Sequence, residues 1–188
     1  MYGKDIAEQQ MKFRTYRLRL LQTNLNCRYG MDQIPVSQQI RCTTTEAPSV
    51  DNFLHLYNKV GKDWQWYMLN YVDRDDMEAY CDQQVLVTLT DHGEPIGFGS
   101  FEDNRKDTNI TYFGSSKEGI GRGLGRNFLS HVARKAFSYH KKESLWLYTT
   151  DRDHPNALTS YMTIGFHVED VRNEYHWAPI SVFKKDEI

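Results

Sequence analysis

Gly114-Ser-Ser-Lys-Glu-Gly-Ile-Gly-Arg-Gly-Leu-Gly-Arg126 lies between two segments of opposite character. Before it, Thr108-Asn-Ile-Thr-Tyr-Phe113 is β-branched and aromatic and reads as a strand. After it, Leu124, Phe128, Val132 and Ala136 recur at every fourth position, which predicts an amphipathic helix running to about His140. Five of the twelve glycines fall between 114 and 125. A strand, a glycine turn and a helix together make an anion site. The first N–H groups of the helix have no partner within it, and its dipole favours negative charge there. Spacing excludes two phosphate loops. G-x-G-x-x-G fails, because counting from Gly119, Gly121 or Gly123 the third glycine position holds Leu124, Arg126 or Phe128. The P-loop fails because no Gly-Lys pair precedes Ser or Thr.

Downstream, Ser144-Leu-Trp-Leu-Tyr-Thr149 reads as a strand. Asp153-His154-Pro155 opens a helix with Pro155 at its first position, and Gly165 ends it. Phe166–Val171 and Glu174–Phe183 read as two closing strands. Upstream, Gln84–Thr90 and Ile96–Phe101 form a hairpin about the turn Asp91-His-Gly-Glu-Pro95. Asp73–Tyr80 is a short acidic helix, and Asp63-Trp-Gln-Trp-Tyr-Met68 is an aromatic cluster of undecided period. Ala47-Pro-Ser49 opens a helix whose apolar face is Val50, Phe53, Leu54 and Tyr57 and which ends at Gly61. Gln39–Thr45 is a strand, 23–38 a connection, and Tyr16–Leu21 either a strand or a short helix. Residues 1–12 are polar and expected to fray. The organisation expected is a partly irregular N-terminal extension, 1–38, followed by one domain, 39–188.

Composition bounds the function. The 188 residues are 39% hydrophobic, 13% aromatic and 26% charged, enough for one packed core and not for a disordered chain. No apolar run approaches the ~20 residues of a membrane span. The start, Met1-Tyr-Gly-Lys-Asp5, has no apolar stretch before its charges and is not read as a secretory signal. A net charge of -2 argues against a nucleic-acid binder, and no membrane partner is expected. Cys27, Cys42 and Cys81 are odd in number and widely spaced, with no CxxC, so reduced thiols in the cytoplasm are expected and neither a disulfide framework nor a metal.

The segment Gly121-Arg-Gly-Leu-Gly-Arg126 resembles the pyrophosphate loop of the GNAT (Gcn5-related) N-acetyltransferases, with Gly123 and Gly125 as the paired glycines. Asp153-His-Pro-Asn-Ala-Leu-Thr-Ser-Tyr-Met-Thr-Ile-Gly-Phe166 resembles a later segment of the same family, matching at Ala157, Tyr161, Gly165 and Phe166. Tyr112-Phe-Gly114, Ile120 and Val60-Gly-Lys-Asp-Trp-Gln-Trp66 resemble a bacterial subgroup. The match covers roughly 39–180 and departs from the subgroup at Lys117 and Asn109, where Pro and Glu are frequent.

The resemblance implies an α+β fold. Its sheet is mostly antiparallel, of about six to seven strands, splayed near the middle, with helices on both faces. It implies acetyl transfer from acetyl-CoA, as co-substrate, to a primary amine on a small molecule or peptide by direct attack, in an enzyme that needs no metal. By alignment Phe113, Gly114 and Ser115 would flank the pantetheine arm, and Ile120, Gly121, Arg122, Gly123, Leu124, Gly125 and Arg126 the pyrophosphate. Tyr161 would assist departure of the thiolate, and His154 would touch the coenzyme or cap its helix. Trp64, Trp66 and Tyr67 would wall the acceptor side or pack in the core. Glu102, Asp103 and Asp107 are candidate bases, each read more readily as a solvated surface carboxylate, and His131 reads as structural. A non-catalytic acyl-CoA-binding relative is the alternative, and a homodimer is the default assembly.

Overall fold

The computed structural model describes residues 8–35 and 39–179. Seven strands form one sheet: β1 Glu8–Leu21, β2 Ile40–Glu46, β3 Val85–Asp91, β4 Glu94–Asn104, β5 Asp107–Ser115, β6 Ser144–Thr150 and β7 His167–Pro179. The helices are α1 Val50–Gly61, α2 Arg74–Cys81, α3 Gly125–His140 and α4 Ala157–Ile164. The strand order is β2-β3-β4-β5-β6-β1-β7. Every neighbouring pair is antiparallel except β5 and β6. The architecture is α+β, as expected from the family resemblance.

Alternation along the strands divides the core in two. Val85, Val87 and Leu89 of β3 pack on the face covered by α3 and α4, with Phe128, Leu129, Val132 and Ile164. Leu86 and Phe98 point the other way, against Phe53, Leu56, Tyr57 and Met77 of α1 and α2. Burying each of these large side chains stabilises the fold by about 1.5–3 kcal/mol. Caps agree with the sequence. Ser49 accepts from the Asn52 N–H, Asp73 from the Asp76 N–H, and Gly165 closes α4 in the left-handed region.

Three expectations change. Residues 8–12, expected to fray, are strand and continue into Tyr16–Leu21, which takes the strand of its two readings; both belong to β1, which fills the position between β6 and β7. The two closing strands are one strand, β7, whose pairing with β1 carries an irregularity at Arg17/Leu18; residues 180–183 of the expected second strand lie outside the described residues. Pro155 does not begin a helix. It sits in a turn closed by the Ala157 N–H on the His154 carbonyl at 2.7 Å, and α4 starts at Ala157 after the N-cap Asn156. The segment after β1, up to residue 35, holds short 3-10 turns along the helical layer. There the Asn26 N–H bonds the Ile164 carbonyl at 2.9 Å, and Ser130 Oγ bonds the Tyr29 carbonyl at 2.8 Å.

Candidate active site

β5 and β6 run parallel but pair only at Thr108–Leu145 and Asn109–Trp146. Beyond them the strands diverge, while the other edge of β5 stays paired with β4 as far as Ser115. The edge of residues 110–115 that faces β6 therefore has no strand partner. A shift of register between Ser100 and Phe101 inserts Thr111 as an extra residue in β5. Consequently Tyr112 packs with the α1 cluster, and Ile110 and Phe113 with the α3 cluster. The gap opens into a cavity of about 810 Å³.

The glycine turn forms one end of that cavity. Gly121 and Gly123 have φ of +79° and +73°, in the region that L side chains rarely adopt. A Cβ on Gly121, Gly123 or Gly125 would meet no atom within 4 Å, so packing does not require these glycines. At Gly114, by contrast, a Cβ would lie 2.6 Å from Val60. Among the described residues, the N–H groups of Gly121, Gly123 and Leu124 have no hydrogen-bond acceptor. The first turn of α3 follows, with Arg126 lining the cavity. Open space, free N–H groups, positive φ and a helix N-terminus together fit a phosphate group.

Most of the residues proposed from sequence converge here. Phe113, Gly114, Ser115, Ile120, Gly121, Gly123, Gly125, Arg126, His154, Tyr161, Trp64, Trp66 and Tyr67 all line the cavity. Two side chains do not. Arg122 is paired with Asp91 at 2.8 Å and ties the turn to β3, and Leu124 is buried in the core. Tyr161 is buried, 7% exposed, with its ring against Phe113 and Phe166 at centroid distances of 6.3 and 5.9 Å. Burial, and secondarily the charge of Asp153, pushes its phenol above the ordinary range, so it stays protonated at neutral pH.

His154 combines two features. It lines the cavity and stacks edge-on against Trp64 at 5.0 Å, while its Nδ1 accepts the Asn156 N–H at 3.0 Å. Trp66 likewise serves both readings. Its ring packs on Tyr57 and Tyr112 of the α1 cluster, and it also lines the cavity. The candidate bases lie elsewhere. Glu102 accepts from Gln84 at 2.6 Å and from Asn109 at 3.1 Å; Asp103 pairs with Lys142; Asp107 pairs with Arg19. None of the three lines the cavity. His131 is half-buried on α3, and burial lowers its pKa, followed by the nearby Lys135 and Arg134.

Sequence reading missed Asp153 as more than a helix opener. One oxygen accepts from Thr149 Oγ1 and the Thr150 N–H, each at 2.8 Å, and the other from Trp66 Nε1 at 3.3 Å. It thus joins the aromatic segment to β6 across the splayed gap. Glu174 and His176 of β7 and Thr15 of β1 were missed as well. The Glu-x-His spacing on a strand, which puts both side chains on one face, was the available signal.

The family model of the acetyltransferase (GNAT) family matches residues 50–166. No curated protein matches the chain significantly. A GCN5-related N-acetyltransferase from Kribbella flavida is similar in structure, with a TM-score of 0.61 and 12% identity over 91% of this chain and 60% of that one. A tandem GNAT protein from the clavulanic acid biosynthesis pathway gives a TM-score of 0.62 and 13% identity over 95% of this chain and 55% of that one. PaiA N-acetyltransferase from Thermoplasma acidophilum, solved with coenzyme A, gives 0.51 and 13% identity over 74% of this chain and 98% of that one. The chain thus spans little more than half the length of the first two. Over the matched region, with the splayed sheet and the glycine turn as its structural frame, the chain belongs to the GNAT acetyltransferase family.

Proposed function

We propose that the chain is an acetyl-CoA-dependent N-acetyltransferase acting on a primary amine. The observation that carries this reading is the free β5 edge opening directly onto an unfilled glycine cradle at the start of α3. The cradle amides of residues 121–126 and the Arg126 side chain hold the pyrophosphate. The unpaired edge at 113–115 orients the pantetheine arm and polarises the thioester carbonyl by N–H donation. The acetyl group comes from the thioester.

The acceptor must be neutral to attack, since an ammonium has no lone pair; its proton leaves to water in the cavity. The nitrogen bonds to the carbonyl carbon as the carbon–sulfur bond breaks. Tyr161, held protonated by burial, gives its hydroxyl proton to the departing sulfur and regains one from solvent. Trp64 and Tyr67 cover the acceptor, while Trp66 both covers it and is fixed by Asp153. The three cysteines are unpaired, which suits the reducing cytoplasm.

The test is amine-dependent release of CoA thiol from acetyl-CoA over a panel of primary amines. Release that rises with amine concentration, with acetylated amine recovered in equal amount, supports the reading. Acetyl-CoA binding without turnover on any amine would leave a binding protein of the same fold.

A further inference from the structure

Beyond Thr150, the last residue of β6, β1 and β7 continue together as a two-stranded ribbon. Thr15 faces Thr150, Phe13 faces Glu174 and Met11 faces His176. Residues two apart share a face, and Phe13, Thr15, Glu174 and His176 all line the cavity at its end away from the glycine turn. The Thr15 hydroxyl donates to Glu174 Oε2 at 2.8 Å. His176 Nε2 lies 3.9 Å from the same oxygen, and its ring stacks on Phe13 at 5.1 Å. Among the described residues lining the cavity, the carboxylates are Asp153 and Glu174. Asp153 is occupied by three donors. Glu174 has an oxygen, Oε1, with no hydrogen-bond partner among the described residues.

Position limits what Glu174 can do. β7 lies two strand spacings from β6, about 10 Å, and farther from the gap in which the thioester would sit. Glu174 therefore does not reach a nitrogen attacking there. The lining also carries the aromatic rings of Trp64, Tyr67, Tyr148 and Phe13, which suit methylene groups and cations alike, together with one cation, Arg152, next to the ribbon.

We propose that Glu174, held by Thr15 and flanked by His176, binds a second positive charge on the acceptor, which makes the acceptor a diamine or polyamine. This deepens the acetyltransferase reading and rests on it for its kinetic arm only. The experiment compares 1,6-diaminohexane with n-hexylamine, which has the same chain and one charge fewer. Glu174→Gln keeps an oxygen for the Thr15 hydroxyl, so the melting temperature is the control for folding.

The wild-type protein should prefer the diamine in kcat/KM. That preference should fall about two- to fivefold in Glu174→Gln, through KM, as expected for loss of a partly exposed ion pair. Calorimetry of 1,6-diaminohexane on CoA-saturated protein is the second arm, with the same loss expected in affinity. If no amine is acetylated, the transfer reading fails, and the calorimetric arm alone decides this inference. Equal kcat/KM for the two amines, equal diamine affinity in both proteins, or no diamine binding to the wild type would overturn it. Acetylation of n-hexylamine without any diamine preference would leave the transfer reading standing and remove the second charge site.

Discussion

Replacing Tyr161 with Phe removes one hydroxyl and leaves the packing in place. The ring is 7% exposed and its neighbours are Phe113 and Phe166, both apolar contacts that Phe retains. Among the described residues, the hydroxyl has no hydrogen-bond partner to orphan. Stability should therefore change by less than about 0.5 kcal/mol. The rate should change more. A positioned general acid is worth ~10²–10⁴, but a thiolate ionises near pH 8.5 and leaves without much help. The expected loss is at the low end or below, roughly tenfold to a hundredfold in kcat, or ~1.4–2.7 kcal/mol of transition-state stabilisation. The acetyl-CoA KM should hold, because the proton is shared only as the carbon–sulfur bond breaks. Burial, then Asp153, raises the phenol above its ordinary pKa, so the acid form persists through neutral pH and kcat should show no alkaline inflection from Tyr161 below about pH 10. The assay is steady-state thiol release on an acceptor for which solvent viscosity leaves kcat unchanged, so that chemistry limits the rate. A Tyr161→Phe protein with wild-type kcat under that condition would refute the role.

Two further outcomes concern the frame. In Gly165→Ala a Cβ would enter the left-handed region at φ +115° and collide with the Asn24 carbonyl oxygen. Backbone strain of ~1–2 kcal/mol adds to disturbance of two tethers, Asn26 N–H to Ile164 O and Asn26 Nδ2 to Thr163 O, at ~1 kcal/mol each. The melting temperature should fall by roughly 10 °C, and a fall under about 2 °C would mean the 22–26 segment is not docked as described. On the alkaline side, burial raises the phenols of Tyr57, Tyr80, Tyr112 and Tyr161 above their unfolded value. A group whose folded pKa is raised holds its proton more tightly when folded, so stability is intact below the unfolded pKa of ~10 and declines above it. Burial also raises the thiols of Cys42 and Cys81, whose unfolded pKa is ~8.5, so thermal melts should be flat to about pH 8, decline gently from there and drop steeply above pH 10, and melts unchanged at pH 11 would contradict the burial of these groups.

What could be read from the chain follows the range of the interactions involved. α3 was legible because its buried residues Phe128, Val132 and Ala136 repeat within the helix itself, in step with Leu124 at its N-cap. The hairpin of β3 and β4 was legible because turn and strands adjoin. β1 was not placed, because it pairs with β6 and β7, more than a hundred residues away, and no local pattern specifies that partner. Asp153 stayed hidden for the same reason, since its role depends on Trp66, 87 residues distant. Arg122 shows another limit. It sits between two glycines of positive φ, and where its side chain points depends on turn geometry that residue types do not fix. Pro155 was misplaced because proline is suited both to a first helical turn and to the turn before it.

The measurement closest to the central claim is acetyl-CoA affinity by calorimetry in the wild type and in Gly123→Val. A Cβ at Gly123 meets no protein atom within 4 Å, so the variant carries only the strain of a β-branched residue at φ +73°, of order 1–3 kcal/mol, and should fold. If the pyrophosphate sits on the turn, the valine occupies its space. The prediction is clear binding by the wild type and at least a tenfold loss in Gly123→Val, with circular dichroism unchanged. Equal affinity in the two proteins, or no acetyl-CoA binding by the wild type, would contradict the account.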